Sequence, residues 1–300
     1  NLSCVYDYLI HNHHHFLSSK YNAHYLQWNA LKRTLERVES DFKGDIYSAQ
    51  KLVKAIGLLN IFAAEGAKID HKFFLDYASV AMGVDDVEMV LNQLQKRQII
   101  RYRSYKQQFI VFEGTDVDIE FELQNATNKV DPVTNVVSKL KQYFDFPYLP
   151  AKRIYYERGT PRFFEFKLSD KPITKAPKQP IDGYINLVFD IEIEDLLKNT
   201  KGLQAPILYG VFNSTDKIKA QLFLIQRIQY LIEEVVETTD RVAQRELKDM
   251  LQFQIDKLND LVLENVYAGK GDIDWVFKGK NQLINNAKSL NNTLSAICEE

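Results

Sequence analysis

Cysteine is nearly absent from this sequence, since Cys4 and Cys298 are the only two in 300 residues. Two thiols near opposite ends exclude a disulfide framework and a thiol-rich zinc site, and they suit a reducing compartment. The apolar runs fall well short of the roughly 20 residues needed to cross a bilayer, and no secretory signal is recognisable. We therefore expect a cytoplasmic protein without membrane contact.

A nucleotide-binding loop and a strong net charge are missing too. No GxxxxGK[ST] pattern occurs, so the backbone cradle and lysine that hold ATP phosphates are not encoded, and no cofactor is expected here. The formal net charge of -2 gives no overall basic field, so contact with nucleic acid requires a local patch. The sequence begins at Asn1 rather than methionine, which we interpret as a piece of a longer polypeptide.

The stretch 46–122 has the pattern of a winged helix-turn-helix. KLVKAIGLLNIF places its apolar residues near a 3.6-residue stripe, which predicts a first helix. Asp70 is suited to cap a second helix that stops at Gly83, and Asp85 begins a third. IIRYRSY and QFIVFE then alternate apolar with polar residues, which predicts a β-hairpin with its turn at 104–108.

Charges in this predicted domain bear on nucleic-acid binding. The third helix, which would enter the major groove, opens with Asp85, Asp86 and Glu88, and these acids argue against reading of base edges. Basic residues gather instead at the end of that helix and on the hairpin: Lys96, Arg97, Arg101, Arg103 and Lys106. The charges favour a structural or regulatory packing module, and a wing that contacts phosphates without reading sequence is the alternative.

Residues 1–45 are predicted to be helical and to contain the histidine cluster HNHHHF. A metal site would need His11 and His15, which are spaced for one helix face, and Asp7 or Cys4 could join them only on an unbroken helix. A solvated turn or helix end is the other interpretation. The full candidate set is His11, His13, His14, His15, Cys4 and Asp7.

A small mixed α/β domain is predicted over 123–215, preceded by a helix that begins near Asp118. Thr115 or Asp116 is expected to cap that helix, and its acids suit the positive end of the macrodipole. Asp118 and Glu122 also admit a paired-carboxylate metal site. Further expectations are a helix over 132–144 ended by Pro147, a hairpin of AKRIYYERG and PRFFEFKLSD, an extended basic loop KPITKAPKQP, and two strands in YINLVFDIEI and APILYGVF.

One short pattern in this domain raises the possibility of an enzyme. Glu165 and Lys167 lie two apart on a predicted strand, like the acid-x-Lys end of a metal-dependent nuclease site. Such a site needs an upstream acid, for which Asp145 or Glu157 is available. Alternating charge on an exposed strand face explains the triplet equally well.

The last part, 216–300, is predicted to form a long helical hairpin with a coiled-coil-like seam. The first helix breaks at 238–240, the second ends at 269–271, and the aromatic segment DIDWVFKGK precedes a terminal helix over 281–298. The seam could bind other protein subunits, although packing within the chain is the commoner fate. Its residues are Leu247, Leu251, Gln254, Leu258 and Leu261.

Several blocks together carry a resemblance to a known group of proteins. KAIGLLNIF, the hairpin running into FEGTDVDIE, the ERGTPRFFEF stretch and DRVAQREL resemble the region that follows the nucleotide-binding domain in large bacterial P-loop ATPases of antiviral defence systems. The resemblance implies an α+β, mostly helical chain without catalytic activity of its own. It also implies that ATP hydrolysis belongs to an upstream domain of the same polypeptide.

Overall fold

The computed structural model describes residues 1–19, 21–64, 66–112, 114, 117–146, 148–178, 180–189, 191–237, 240–268 and 273–299. The chain is mixed α+β and mostly helical, with two compact units, Asn1–Asp116 and Val117–Glu300. Several predicted helix ends and caps lie outside the described residues: Thr115, Asp116, Pro147, Thr238, Thr239 and 269–271. None of the helices in the described ranges is long and apolar enough to cross a membrane.

In the described part of the first unit, the chain forms five helices and one hairpin. The helices are α1 Leu2–Leu17, α2 Tyr25–Asp41, α3 Ile46–Phe62, α4 His71–Met82 and α5 Val87–Lys96, and the strands are β1 Ile100–Arg103 and β2 Gln108–Val111. Helix α4 has its predicted boundaries, because Asp70 accepts a hydrogen bond from the Phe73 N–H and Gly83 adopts a left-handed φ of 59°. Asp86, one residue after the predicted start, caps α5.

The core of the first unit draws on all five helices and the hairpin. Leu31 of α2 and Leu52 and Ile56 of α3 are fully buried, and Phe74, Leu91 and Phe109 join them from α4, α5 and β2. Residues of the predicted 1–45 segment therefore share one hydrophobic cluster with the helices that follow it. Burial of these side chains is the main source of stability for the unit.

Among the described residues, the second unit has seven α-helices, a 3₁₀ helix at Ala126–Asn128, a π-helix at Leu231–Val235 and a sheet of six strands. The helices are α6 Ile119–Asn125, α7 Val136–Tyr143, α8 Lys152–Arg158, α9 Ile193–Thr200, α10 Asp216–Tyr230, α11 Arg241–Ala268 and α12 Ala287–Ile297. The strands are β3 Leu149–Pro150, β4 Phe163–Ser169, β5 Gly183–Val188, β6 Ile207–Phe212, β7 Ile273–Phe277 and β8 Lys280–Gln282. They lie side by side in that order, with β4, β5 and β6 parallel and the others antiparallel to their neighbours.

The structure corrects four of the predicted elements in this unit. AKRIYYERG is not the first strand of a hairpin, because Lys152–Arg158 forms helix α8 and Ile154 is buried in the core. DIDWVFKGK contributes β7, which pairs with β6 and so extends the sheet into the stretch predicted to be helical. Helix α7 starts at Val136 because Asn135 caps it, and α12 starts at Ala287 because Asn286 caps it.

Helices cover one face of the sheet, and a hydrophobic cluster lies beneath them. That cluster contains strand residues such as Phe164, Leu187 and Leu208 together with residues of α7, α8, α10, α11 and α12. Leu258 of α11 is fully buried in this cluster. The side-chain amide of Gln221 in α10 donates a hydrogen bond to the backbone carbonyl of Gln254 in α11, at 2.9 Å. The residues predicted to form a seam on α11 therefore pack mainly against other parts of the same chain.

The opposite face of the sheet, which we call the second face, is covered by α9 and by the connection between β4 and β5. Leu196 of α9 packs there against Val188, Tyr209 and Val276. Ile173, in the predicted basic loop, is held by its backbone: its N–H donates to Asn186 Oδ1 at 2.9 Å, and its carbonyl accepts from the Tyr209 hydroxyl at 2.5 Å. Two side chains on neighbouring strands thus hold the loop at its middle.

Burial gives Tyr209 a measurable effect on stability at high pH. Desolvation raises the pKa of its hydroxyl from 10.0 to about 12. Below pH 10 the phenol is protonated in the folded and unfolded states, whereas between pH 10 and 12 the unfolded phenol ionises first. The contribution of Tyr209 to the free energy of unfolding should therefore fall in that window by at most about 1.4 kcal/mol per pH unit.

The Tyr209→Phe variant isolates this contribution. At pH 7 we expect it to be less stable than the wild type by about 1 kcal/mol, since the hydrogen bond to Ile173 is lost. Urea unfolding followed by circular dichroism from pH 8 to 11.5 should show a shallower decline for the variant. Parallel declines for the two proteins would contradict the assignment to Tyr209.

Candidate nucleic-acid interface

The hairpin β1–β2 has an inward and an outward face. Ile100 and Phe109 are buried in the core of the first unit, and Tyr102 packs against the same cluster. In register, Arg101 pairs with Ile110 and Arg103 with Gln108. Because side chains alternate along a strand, Arg101 and Arg103 share the outward face, where both side chains are half-buried.

Strand β2 is anchored by backbone contacts on the side away from β1. The Asn60 amide of α3 donates to the Phe109 carbonyl at 2.8 Å and accepts from the Val111 N–H at 3.1 Å. Ile69, just before α4, forms a parallel bridge to Gln108, with the Phe109 N–H donating to its carbonyl at 3.0 Å. These bonds fix the orientation of the hairpin on α3 and the start of α4.

Of the other three predicted side chains, Lys106 lies on the same hairpin, and Lys96 and Arg97 lie at the end of α5. Lys106 is in the turn, with its ammonium 5.9 Å from the centre of the Tyr105 ring. Lys96 ends α5, and Arg97 follows it. The Arg97 guanidinium donates to the Asp41 carbonyl at 2.6 Å, so it interacts with the negative C-terminal end of α2. This bond gives Arg97 a structural role at the end of α2.

The outer surface of α5 is acidic at its start, as its sequence indicates. Asp86 accepts from the Met89 N–H as the N-cap, and Glu88 lies in the first turn. A shallow groove of about 440 Å³ runs along this surface and is lined by Asp86, Glu88, Met89, Asn92, Gln93 and Lys96. Two carboxylates at the helix start disfavour the approach of phosphate to this end of α5.

Comparisons with known proteins assign no function to this chain. No protein-family model, curated protein or solved structure matches the chain. The resemblance to defence-system ATPases therefore stays a prediction. The interpretation of α3, α4, α5 and the hairpin as a winged helix is a proposal that rests on the order of these elements.

Histidines 11, 13, 14 and 15 lie within α1, not in a turn after it. The helix continues to Leu17 with one kink, where His13 has φ of -126° and ψ of 18°. Asp7 instead forms an ion pair with Lys54 of α3 at 2.6 Å. Within the described ranges, no three His, Cys, Asp or Glu side chains are placed to hold a metal ion.

Asp118 and Glu122 have local roles at α6. Asp118 is the N-cap and accepts from the Phe121 N–H at 3.1 Å, and Glu122 lies within hydrogen-bond reach of the Asn125 amide at 3.5 Å. The negative charges lie at the positive end of the helix, where they stabilise it. These contacts agree with the interpretation of the two acids as residues that stabilise the start of a helix, which was the alternative to a paired-carboxylate metal site.

Glu165 and Lys167 lie on the second face of the sheet and bond to each other. Their ion pair is 2.6 Å long, and the Lys167 ammonium lies 5.2 Å from the centre of the Tyr184 ring. Glu157 is on helix α8, so it is not a partner across a hairpin as the nuclease hypothesis required. Asp145 follows the end of α7. The alternative of alternating charge on a half-exposed strand accounts for this pair.

Two features of the second unit escaped sequence reasoning. One is the hold on Ile173 by Asn186 and Tyr209, which joins residues 13 and 36 positions apart. The other is the exposure of Tyr148 and Phe163, with 57% and 39% of their surfaces accessible. The only signal in the sequence was the density of aromatic residues between 144 and 166, which is also typical of a core.

Proposed function

We propose that this chain is a non-catalytic accessory part of a larger P-loop ATPase, and that its first unit contacts nucleic acid through the β1–β2 hairpin. The order of α3, α4 and α5 followed by a hairpin supports the interpretation of 46–112 as a winged helix-turn-helix. In this proposal the nucleotide is bound and hydrolysed by an upstream domain, and the first unit serves as a regulatory or DNA-contacting module.

The shared outward face of Arg101 and Arg103 is the observation that carries the nucleic-acid contact. Guanidinium groups bind phosphate oxygens in a bidentate manner, and two of them spaced along one strand suit successive positions on a polynucleotide backbone. Lys106 in the turn adds a third cation at the tip of the same hairpin. The acids at the start of α5 argue against insertion into the major groove, so we propose contacts that are independent of base sequence.

The double variant Arg101→Ala, Arg103→Ala tests this contact. We expect weak, salt-sensitive binding of a 20-base-pair duplex by the wild type, and affinity about tenfold lower in the variant, because two phosphate contacts are lost. The slope of log affinity against log salt should become shallower by about 1.8. Fluorescence anisotropy at 50 to 200 mM salt measures both quantities.

A matched control removes the same charge elsewhere on the first unit. Lys32 and Arg33 are exposed on α2 and do not belong to the hairpin. Their double alanine variant should bind the duplex like the wild type. Equal losses in the two variants would mean that only total charge matters, and unchanged binding in the hairpin variant would remove the hairpin from the proposal.

A protein partner for α5 is the second candidate function. Met89 is 48% exposed in the groove along this helix, among two carboxylates and two side-chain amides. Methionine is enriched in protein interfaces, and the acids suit a basic partner surface. Absence of duplex binding by the wild type in the titration above would favour this function over the nucleic-acid contact.

A further inference from the structure

The second face of the sheet is open at β3 and β4. Its apolar cover, from α9 and Ile173, packs against residues of β5, β6 and β7. On β4, the residues that point to this face are Phe163, Glu165 and Lys167, since Phe164 and Leu168 are buried in the opposite cluster. This part of the sheet is therefore partly accessible, unlike strand β6, which is fully buried and separated from β4 by β5.

Aromatic side chains stand at this open part of the sheet. Phe163 lies opposite Pro150 in the pairing of β3 with β4, and Tyr148 comes two residues before Pro150. Leu149, between them, packs into the core, whereas Tyr148, the residue before β3, is 57% exposed. Tyr184, next to Glu165 in register, adds a third ring that is partly buried. We call Tyr148, Phe163 and Tyr184 the aromatic patch.

Two basic side chains beside the aromatic patch are ion-paired with carboxylates, Lys167 with Glu165 and Arg162 with Asp182. Lys167 lies over the Tyr184 ring, and Arg162 bonds to Asp182 at 2.7 Å beside Phe163. The connection that crosses the second face contributes three exposed lysines within eight residues: Lys171, Lys175 and Lys178. Because Ile173 is fixed by Asn186 and Tyr209, these lysines are tethered next to the sheet.

We propose that the aromatic patch binds single-stranded nucleic acid, with bases stacked on Tyr148 and Phe163 and phosphates drawn to the lysines of the connection. Aromatic rings offer a face to any base, so this binding needs no particular sequence. A duplex keeps its bases stacked on each other and cannot use the rings. The three exposed lysines of the connection favour a polyanion over a neutral apolar peptide as the occupant.

This site is independent of the hairpin of the first unit, and the experiment keeps the two apart. All proteins carry Arg101→Ala and Arg103→Ala, so hairpin contacts do not contribute. A fluorescein-labelled 15-nucleotide oligothymidylate is titrated in anisotropy measurements, beside a 15-base-pair duplex of mixed sequence. The added changes are Tyr148→Ala with Phe163→Ala, and as a control Tyr156→Ala, which removes a tyrosine that is 81% exposed on α8.

The expected result is preference for the single strand over the duplex, with affinity reduced about tenfold or more by the double change and unaffected by Tyr156→Ala. A second measurement does not depend on the variants: photo-cross-linking of a 5-bromouracil oligonucleotide should mark peptides that contain Tyr148 or Phe163. Preference for the duplex, equal loss in the control, or cross-links confined to other peptides would each overturn the proposal.

Discussion

Replacing Gly183 by alanine is expected to destabilise the second unit by about 3 kcal/mol, since overpacking of a buried site costs 1–3 kcal/mol or more. A Cβ atom at this position would lie 2.1 Å from Cε1 and 2.5 Å from Cδ1 of the Phe164 ring. Phe164 is fully buried, and β5 is held between β4 and β6, so neither the ring nor the backbone can move freely. Urea unfolding followed by circular dichroism measures the loss.

Gly210 of β6 provides a graded control for this prediction. A Cβ there would lie 3.0 Å from Ile273 Cγ2 and from Trp275 Cζ3, which a small side-chain shift relieves. The Gly210→Ala variant should therefore lose about 1 kcal/mol. Equal stabilities for the two variants, or a Gly183 variant as stable as the wild type, would show that β4 and β5 are not packed as described.

Replacing Asn186 by alanine should also cost about 3 kcal/mol, because buried polar groups lose their partners and a cavity opens. Asn186 is fully buried on β5. Its amide donates to Ser169 Oγ at 2.7 Å and to the Lys167 carbonyl at 3.1 Å, while its oxygen accepts from the Ile173 N–H. Chemical denaturation should show the loss, and limited proteolysis should show faster cleavage within 171–178.

Asn281, exposed on β8, is the matched control for Asn186. Its alanine variant removes the same side chain without a buried network and should stay within about 0.5 kcal/mol of the wild type. If Asn186→Ala lowers stability but leaves cleavage of 171–178 unchanged, the hydrogen bond to Ile173 does not hold the connection in solution.

Local signals in the sequence predicted the helices of the first unit well. Asp70 and Gly83 bound α4 because a carboxylate cap and a left-handed glycine act within a few residues of themselves. The failure at Lys152–Arg158 has a tertiary cause. Its aromatic and β-branched residues have strand propensity, but the Ile154 side chain is buried in the core and its N–H lies 3.4 Å from the Ser295 hydroxyl of α12.

In the candidate sites too, some features follow from the local sequence and others depend on the tertiary fold. The common face of Arg101 and Arg103 follows from their spacing on a strand, so the sequence sufficed to predict it. The role of Arg97 depends on the Asp41 carbonyl, 56 positions away, and no local pattern reveals that contact. Exposure of Tyr148 and Phe163 depends on which parts of the sheet are left uncovered, and only the assembled fold determines this.

The hydrogen bonds at Ile173 fix the connection between β4 and β5 at one point. They divide it into two short segments, which we call arms. Lys171 lies on one arm, and Lys175 and Lys178 lie on the other. Because loop entropy depends on the length between fixed points, each arm samples fewer conformations than an untethered connection would. A polyanion that contacts these lysines therefore meets charges that folding has already brought partly into position, and it loses less affinity to ordering them.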